Sequence, residues 1–301
     1  MEENKVSLTA LITTFTRAYH AMHDVPKIFD DFLAYHMFTQ EEYINMGRNL
    51  TEAIKFFNPE RALSCPDEST ALAWMIQTLS ATLSRARYTE DILKTTVKQG
   101  VEQYVILCAG MDTFAFRHPE LKNLKVFEVD HPATQSFKRR RLDELGWKYP
   151  AQLHFVPVDF TKKNLATSLK CSSYDLQTLT FFSWLGVTPY LTRDVVFATL
   201  RSIADISPAG STIIFDYLDT NAFDSEKAAK RVQKGIEITR NIGEPMITGF
   251  DPSSLAADLA SLGLRLHENL SPSKIEGRYF RGRTDGYHAS EHIHYAWVVV
   301  D

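Results

Sequence analysis

The sequence predicts an α/β protein with a doubly wound, mostly parallel sheet of seven strands. Two observations predict this class. Short apolar runs alternate with helical segments after residue 100, whereas the first hundred residues carry only helical patterns. We therefore expect an N-terminal helical cap over residues 1–99 and a Rossmann-like domain over residues 100–301. A charged stretch breaks the alternation after the fifth strand, which predicts a helical insertion at about residues 221–245.

The helices of the cap are predicted from apolar side chains that recur every three or four residues. This spacing runs through residues 7–22, where Ser7 is a suitable N-cap, and through residues 41–57, where Pro59 ends the pattern. Residues 69–98 form a third helical stretch with one expected break.

Seven strands are predicted from short runs of apolar, β-branched and aromatic residues. They cover residues 103–107, 125–130, 154–159, 179–184, 211–217, 264–270 and 294–300. Pro132 suits the first turn of a helix after the second strand. Further helices are expected at residues 224–240, within the insertion, and at residues 253–262.

The composition, 44% hydrophobic and 23% charged, is that of an ordinary folded chain. The net charge of −4, from 33 basic and 37 acidic side chains, argues against a nucleic-acid partner. Three widely spaced cysteines favour a reducing compartment, and no apolar run approaches the ~18 residues that span a bilayer. We expect a cytoplasmic protein with no nucleic-acid or membrane partner, and the oligomeric state stays open.

Two polar clusters receive a structural interpretation. Residues 138–141 (KRRR) are expected to form the solvated face of a helix. His288, Glu291, His292 and His294 have the composition of a metal site, but they lead into the last strand, so we expect no metal.

The candidate site lies at the carboxyl ends of the first three strands, where doubly wound sheets bind ligands. Gly110 follows the first strand, while Asp130 and Asp159 end the second and third. A glycine turn lets a ligand approach the backbone, and an acid about 20 residues later can bind both hydroxyls of a ribose. The alternative is that the two acids only cap helices.

The turn favours a nucleoside over a dinucleotide. A dinucleotide needs three glycines around its pyrophosphate, but the turn has one, and Asp112 would repel phosphate. S-adenosylmethionine fits better, because it has a ribose, no phosphate, and a cationic tail that suits an acidic turn.

Several motifs together resemble the leucine carboxyl methyltransferase family, in particular its bacterial branch of class I S-adenosylmethionine-dependent O-methyltransferases. The matching stretches are 84–88 (SRARY), 105–113 (VILCAGMDT), 127–132 (FEVDHP), 155–160 (FVPVDF), 184–192 (WLGVTPYLT) and 215–217 (FDY). The chain departs from the family pattern at Cys108, where glycine is usual, and at Leu185, where many members have Glu.

The resemblance implies S-adenosyl-L-methionine as the cofactor and S-adenosyl-L-homocysteine as its product. It implies that Arg85, with help from Arg17, pairs with the methionine carboxylate, that Asp130 binds the ribose, and that Asp159 and the Phe160 backbone contact the adenine. The full set of expected cofactor-binding residues is Arg17, Arg85, Cys108, Ala109, Gly110, Asp112, Asp130, His131, Asp159 and Phe160.

The expected reaction is methyl transfer to an oxygen, carboxylate or hydroxyl, of a small-molecule acceptor. Tyr190 and Tyr217 are candidates for lining the acceptor pocket, and no residue is assigned as a base. Three alternatives stay open: methylation of a protein's C-terminal carboxylate, an NAD(P)-binding oxidoreductase, and a non-catalytic protein on the same fold.

Overall fold

The computed structural model describes residues 7–159 and 164–301, so Phe160 lies outside the described residues. The strands are β1 Gln103–Leu107, β2 Lys125–Asp130, β3 Leu153–Pro157, β4 Thr180–Trp184, β5 Thr212–Leu218, β6 Leu264–Leu270 and β7 Ile293–Val300. They form one seven-stranded sheet in the order β3-β2-β1-β4-β5-β7-β6. Strand β7 is antiparallel to both neighbours and the other pairs are parallel, which confirms the predicted fold class.

The helices expected at residues 7–22, 41–57, 69–98, 224–240 and 253–262 are present with shifted ends, and further helices lie between the strands. Together they are α1 Leu8–His23, α2 Gln40–Phe57, α3 Pro59–Ser64, α4 Glu68–Thr78, α5 Ala81–Lys98, α6 Phe114–Arg117, α7 Pro132–Glu144, α8 Leu165–Lys170, α9 Arg193–Ile206, α10 Lys230–Asn241, α11 Leu255–Ala260 and α12 Pro272–Ile275. The expected break in the third helical stretch separates α4 from α5. Within the described residues, no helix combines the length and the apolar character needed to cross a membrane.

Side-chain caps explain where several helices begin. The Ser7 hydroxyl accepts a hydrogen bond from the Ala10 amide at the start of α1, as predicted. Thr39 and Glu42 exchange hydrogen bonds with each other's backbone amides at the start of α2, which forms a capping box. Helix α10 begins at Lys230, six residues later than expected, and a short 3-10 turn capped by Asp219 occupies residues 220–223.

The sheet is covered on both faces. Alternate residues of β1, such as Val105 and Leu107, face α8, α9 and α11, while Tyr104 and Ile106 face α1, α5 and α7. Among the helices that precede the sheet, α1 and α5 therefore pack on one face of it.

Asp31, in the loop after α1, ties the N-terminal helices to the turn after β1. Its carboxylate is completely buried and pairs with the Arg17 guanidinium. It also accepts a hydrogen bond of 2.5 Å from the Thr113 hydroxyl, and the Arg117 Nε lies 3.4 Å away. One carboxylate thus joins α1, the β1 turn and α6.

The expectation that residues 138–141 form a solvated face is wrong for two of the four residues. Lys138 is 1% exposed and Arg141 is 9% exposed. Arg141 donates to Glu42 of α2 at 2.6 Å and to Glu144 at 3.0 Å. Helix α7 therefore packs its first and last basic residues inward, toward the cap and the site.

Replacement of Asp31 by Asn should lower the free energy of unfolding by about 3–5 kcal/mol, because it leaves the buried Arg17 guanidinium without its counter-charge, whereas Arg117 keeps Glu90. Asp30→Asn is the matched control, since Asp30 is exposed and pairs with Lys27 at the surface, so its effect should stay within about 0.5 kcal/mol. Urea unfolding measures both. Equal stability of the two variants would contradict the role of Asp31.

Candidate functional site

The site lies at the carboxyl end of β1, which pairs with β2 on one side and with β4 on the other. The connections from β1 lead to one side of the sheet and those from β4 to the other, so this edge is the switch point where such sheets hold ligands. Strands β2 and β3 border it on one side, and β4 and β5 on the other.

The turn after β1 is shaped by two residues with left-handed backbone. Gly110 has φ of +54° and Cys108 has φ of +53°, a backbone conformation that residues other than glycine rarely adopt. The position at which the family usually has glycine therefore keeps a glycine-like backbone with a side chain on it. Burial raises the pKa of the Cys108 thiol, so this thiol stays protonated at neutral pH.

Asp130 is bonded to the turn through its carboxylate. The Gly110 amide donates to Oδ2 at 2.6 Å, and the His131 amide donates to Oδ1 at 2.6 Å. Burial raises the pKa of Asp130 above its usual range, although the two amide donors oppose the shift. Each carboxylate oxygen can accept another hydrogen bond, so the group suits a ribose with two adjacent hydroxyls.

A buried ion pair supports the other end of the turn. Lys138 donates to the Asp112 carbonyl and to Glu128 Oε2, both at 2.5 Å. Both partners of the pair are 1% exposed, and Glu128 Oε1 has no hydrogen-bond partner in the described part of the chain. Burial raises the pKa of Glu128 to about 7, although Lys138 opposes the shift.

The two arginines expected at the methionine carboxylate have different surroundings. Arg17 is bound to Asp31 and donates to the Met111 carbonyl at 3.1 Å, so it supports the turn from the side of α1. Arg85 belongs to α5, which contacts β4 and β5, and its Nη1 donates to Asp216 Oδ2 at 3.0 Å. Its side chain remains 15% exposed.

The remaining expected cofactor residues border the turn. The Ala109 amide donates to the Val129 carbonyl at 3.2 Å, which holds the end of β1 beside β2. His131 caps α7, with Nδ1 accepting from the Ala133 amide at 3.3 Å. Asp159 lies two residues beyond the end of β3, which is shorter than predicted. Their contacts with the cofactor stay predictions.

The two tyrosines expected at the acceptor lie in different places. Tyr190 follows β4, and burial raises the pKa of its hydroxyl to about 12, so it is a neutral donor at physiological pH. Tyr217 belongs to the cluster that packs against α9 and α11, and its hydroxyl donates to Asn269 Oδ1 at 3.0 Å. Tyr190 lies close enough to Arg85 and Asp216 for their charges to act on its hydroxyl, whereas Tyr217 is 1% exposed.

The histidines near the C-terminus are held by one carboxylate. His292 Nδ1 lies 2.9 Å from Asp219 Oδ1, and His294 Nε2 lies 3.3 Å from Oδ2. His292 Nε2 accepts from the Ala229 amide at 3.1 Å, just before α10. Over residues 7–159 and 164–301, no group of three or more His, Cys, Asp or Glu side chains could hold a metal ion.

Sequence patterns alone did not identify the residues that support the site. Asp31 and Asp216 bond to the predicted arginines, and Lys138 bonds to the Asp112 carbonyl in the turn. Glu128 and Gly186 bond in turn to Lys138 and Asp216. Glu128, Gly186 and Asp216 fall inside the matched stretches. That position is the one signal that the sequence offered.

Comparison with known proteins shows the family of this chain. The model of the family described as leucine carboxyl methyltransferase matches residues 10–204. The chain is 43% identical to YktD of Bacillus subtilis over 303 residues, which covers 99% of both proteins. It is 26% identical to ML2020 of Mycobacterium leprae over 255 residues, 84% of this chain and 78% of that protein. Both relatives are named as S-adenosyl-L-methionine-dependent methyltransferases.

A crystal structure of a DUF574 family protein from Streptomyces avermitilis shares the fold, with a TM-score of 0.62, 12% identity and 99% of each chain covered. The family model and the sequence relatives thus show a methyltransferase that depends on S-adenosyl-L-methionine. The chain belongs to the leucine carboxyl methyltransferase family. This result confirms the predicted family, enzyme class and cofactor.

The Glu128→Gln variant should gain stability relative to the wild type as pH rises. The pKa of Glu128 is raised from 4.5 in the unfolded chain to about 7 in the fold. Its contribution is therefore present below about pH 4.5 and is lost as pH rises through about 7. Glutamine stays neutral, so the difference in free energy of unfolding should move by about 1–3 kcal/mol in favour of the variant.

Urea unfolding at several pH values measures this difference. Glu226→Gln, at an exposed position, is the control and should show no such trend. A constant difference between the wild type and Glu128→Gln across the pH range would contradict the raised pKa.

Proposed function

We propose that the protein transfers the methyl group of S-adenosyl-L-methionine to an oxygen of a small-molecule acceptor in the cytoplasm. The observation that carries the proposal is the pair of opposite charges on the two sides of the β1 carboxyl end. The carboxylate of Asp130 lies on the β2 side, and the guanidinium of Arg85 lies on the β4 side. A ribose and a carboxylate, joined through a thioether, are the groups that such a pair recognises.

The residues of the turn support a nucleoside with no phosphate. The half-buried Asp112 uses Oδ1 to accept from the Phe114 amide at 2.7 Å, so the first amide of α6 is not available to a phosphate. Its negative charge repels a pyrophosphate and attracts an ammonium group. Arg85 is the matching cation for the carboxylate next to that ammonium.

When bound, S-adenosyl-L-methionine supplies a methyl group that its sulfonium has already activated. The chain's own task is then to orient the acceptor oxygen and to exclude water. Arg17, Asp31 and Lys138 fix the turn, and α10 of the insertion contacts α2 and the 3-10 turn that follows β5. Tyr190 offers a protonated hydroxyl.

The acceptor oxygen that we propose is one already anionic at neutral pH, a carboxylate or an acidic phenol. A neutral hydroxyl needs a base within hydrogen-bond reach. His292 and His294 are both bound to Asp219, and His292 also accepts from Ala229. Both ring nitrogens of His292 are therefore bonded. His294 keeps an unpartnered Nδ1 among the described residues, but that nitrogen is buried and burial lowers the pKa of His294, so it is a poor base for an acceptor hydroxyl.

Calorimetric titration tests the cofactor site. S-adenosylhomocysteine should bind with micromolar affinity and NADPH should not bind. Arg85→Ala and Asp130→Ala should each weaken S-adenosylhomocysteine by about tenfold or more, since each removes a charge-assisted hydrogen bond. Arg87→Ala is the matched control, because Arg87 lies on the same helix but is exposed and bonds to Asp91.

Three outcomes would contradict this assignment. Binding of NADPH alone would favour the oxidoreductase, and no binding of either compound would favour the non-catalytic protein. Unchanged affinity in both Arg85→Ala and Asp130→Ala would place the cofactor elsewhere.

Transfer of a radiolabelled methyl group to a panel of acceptors tests the second half of the proposal. We expect labelling of small carboxylates and acidic phenols, and no labelling of simple alcohols, because the latter need a base. Labelling restricted to peptides at their C-terminal carboxylate would favour the protein methyltransferase instead. Labelling restricted to amines would contradict oxygen as the acceptor atom.

A further inference from the structure

Arg85 forms a bonded group with two other residues, Asp216 and Gly186. It comes from α5, and its Nη1 donates to Oδ2 of Asp216, on β5, at 3.0 Å. The Asp216 side chain is 4% exposed, so the carboxylate is removed from water and depends on its protein donors. Asp216 Oδ1 accepts from the Gly186 amide, just after β4, at 2.5 Å.

Gly186 allows the guanidinium to lie directly on the backbone. A Cβ atom at this position would come within 2.4–2.7 Å of Nη1, Nη2 and Cζ of Arg85. Gly186 also has φ of +70°, a backbone conformation that residues other than glycine rarely adopt. The absence of a side chain and the backbone conformation therefore both serve the close approach of Arg85.

The guanidinium keeps donors that the protein does not use. Within the described residues, Nε and Nη2 of Arg85 donate to no protein group. Neither atom is among the polar atoms that are fully buried without a hydrogen-bond partner. The side chain is 15% exposed at the switch-point edge of the sheet. A guanidinium fixed at one nitrogen and open at the others is suited to a second carboxylate.

We infer that Asp216 is a positioning residue for cofactor recognition. It orients Arg85 toward the carboxylate of the methionine moiety, and Gly186, which has no side chain, leaves space for the guanidinium. This inference rests on the proposed role of Arg85. The physical reason is preorganisation. An arginine side chain carries a large rotamer entropy, and a second partner that already fixes it removes that cost from ligand binding.

A competing role of Asp216 would change the affinity for a ligand carboxylate in the opposite direction, which makes the inference testable. If Asp216 only competed for Arg85, its removal would release the guanidinium and tighten the binding of a ligand carboxylate. If Asp216 positions Arg85, its removal must weaken that binding. The sign of the change in affinity therefore separates the two roles.

The test compares two ligands that differ in the amino-acid group. S-adenosylhomocysteine carries the methionine-type carboxylate, whereas 5′-methylthioadenosine has the same nucleoside and thioether without it. In Asp216→Asn, S-adenosylhomocysteine should weaken by about tenfold while 5′-methylthioadenosine keeps its wild-type affinity. The unchanged affinity for 5′-methylthioadenosine also reports an intact fold, which a merely structural role of Asp216 would not preserve.

Asp258→Asn is the matched control. It also breaks an Arg–Asp pair, with Arg193 at 2.7 Å, but that pair lies between α9 and α11. Both ligands should keep their affinities in this variant. Gly186→Ala is the second test variant, because it retains Arg85 and Asp216 but displaces the guanidinium, and it should show the same selective loss.

Two results would overturn the inference. Equal or tighter binding of S-adenosylhomocysteine by Asp216→Asn would show that Asp216 does not position Arg85. A wild-type protein that binds S-adenosylhomocysteine no better than 5′-methylthioadenosine would remove the role of Arg85 itself, and the inference with it. No binding of either nucleoside would instead be a failure of the proposed function.

Discussion

The buried carboxylate of Asp31 is the constraint on which the site depends. It pairs with Arg17 of the first helix and with Thr113 and Arg117 beyond the first strand, and it is completely removed from water. A carboxylate buried this deeply is tolerated only when donors surround it. Its donors therefore have to meet at one point, which fixes the N-terminal helices against the turn. Through Arg17, the same contact reaches the Met111 carbonyl inside the turn.

A polar framework then extends from the turn across the edge of the sheet. Asp130 and Lys138 hold the turn from the β2 side, and the unit of Arg85, Gly186 and Asp216 occupies the β4 and β5 side. Most of these groups bond to backbone atoms or to each other before any ligand arrives. Groups fixed in this way lose little freedom on binding, so they favour one ligand shape over others. The methyl donor already carries the chemical activation, and the fold supplies the orientation.

The sequence predicted the fold well because its signals are local. Apolar runs separated by helical segments predict a parallel sheet, and all seven strands follow from them. The same runs placed Gly110 and Asp130 at one edge of the sheet, where the Gly110 amide donates to the Asp130 carboxylate. The supporting residues could not be predicted because their partners are distant in sequence. Nothing local distinguishes the buried Lys138 from its exposed neighbours, and the pairing of Arg85 with Asp216 spans 131 residues.

The most direct test of the account is a crystal structure of the protein with S-adenosylhomocysteine. The account predicts that the ribose hydroxyls donate to the Asp130 carboxylate, and that the ligand carboxylate accepts from Arg85 while Asp216 still bonds to Nη1 of that residue. It would be contradicted by a nucleoside bound away from the β1 turn. It would also be contradicted by a ligand carboxylate bound to Arg17, with the bond between Arg17 and Asp31 broken.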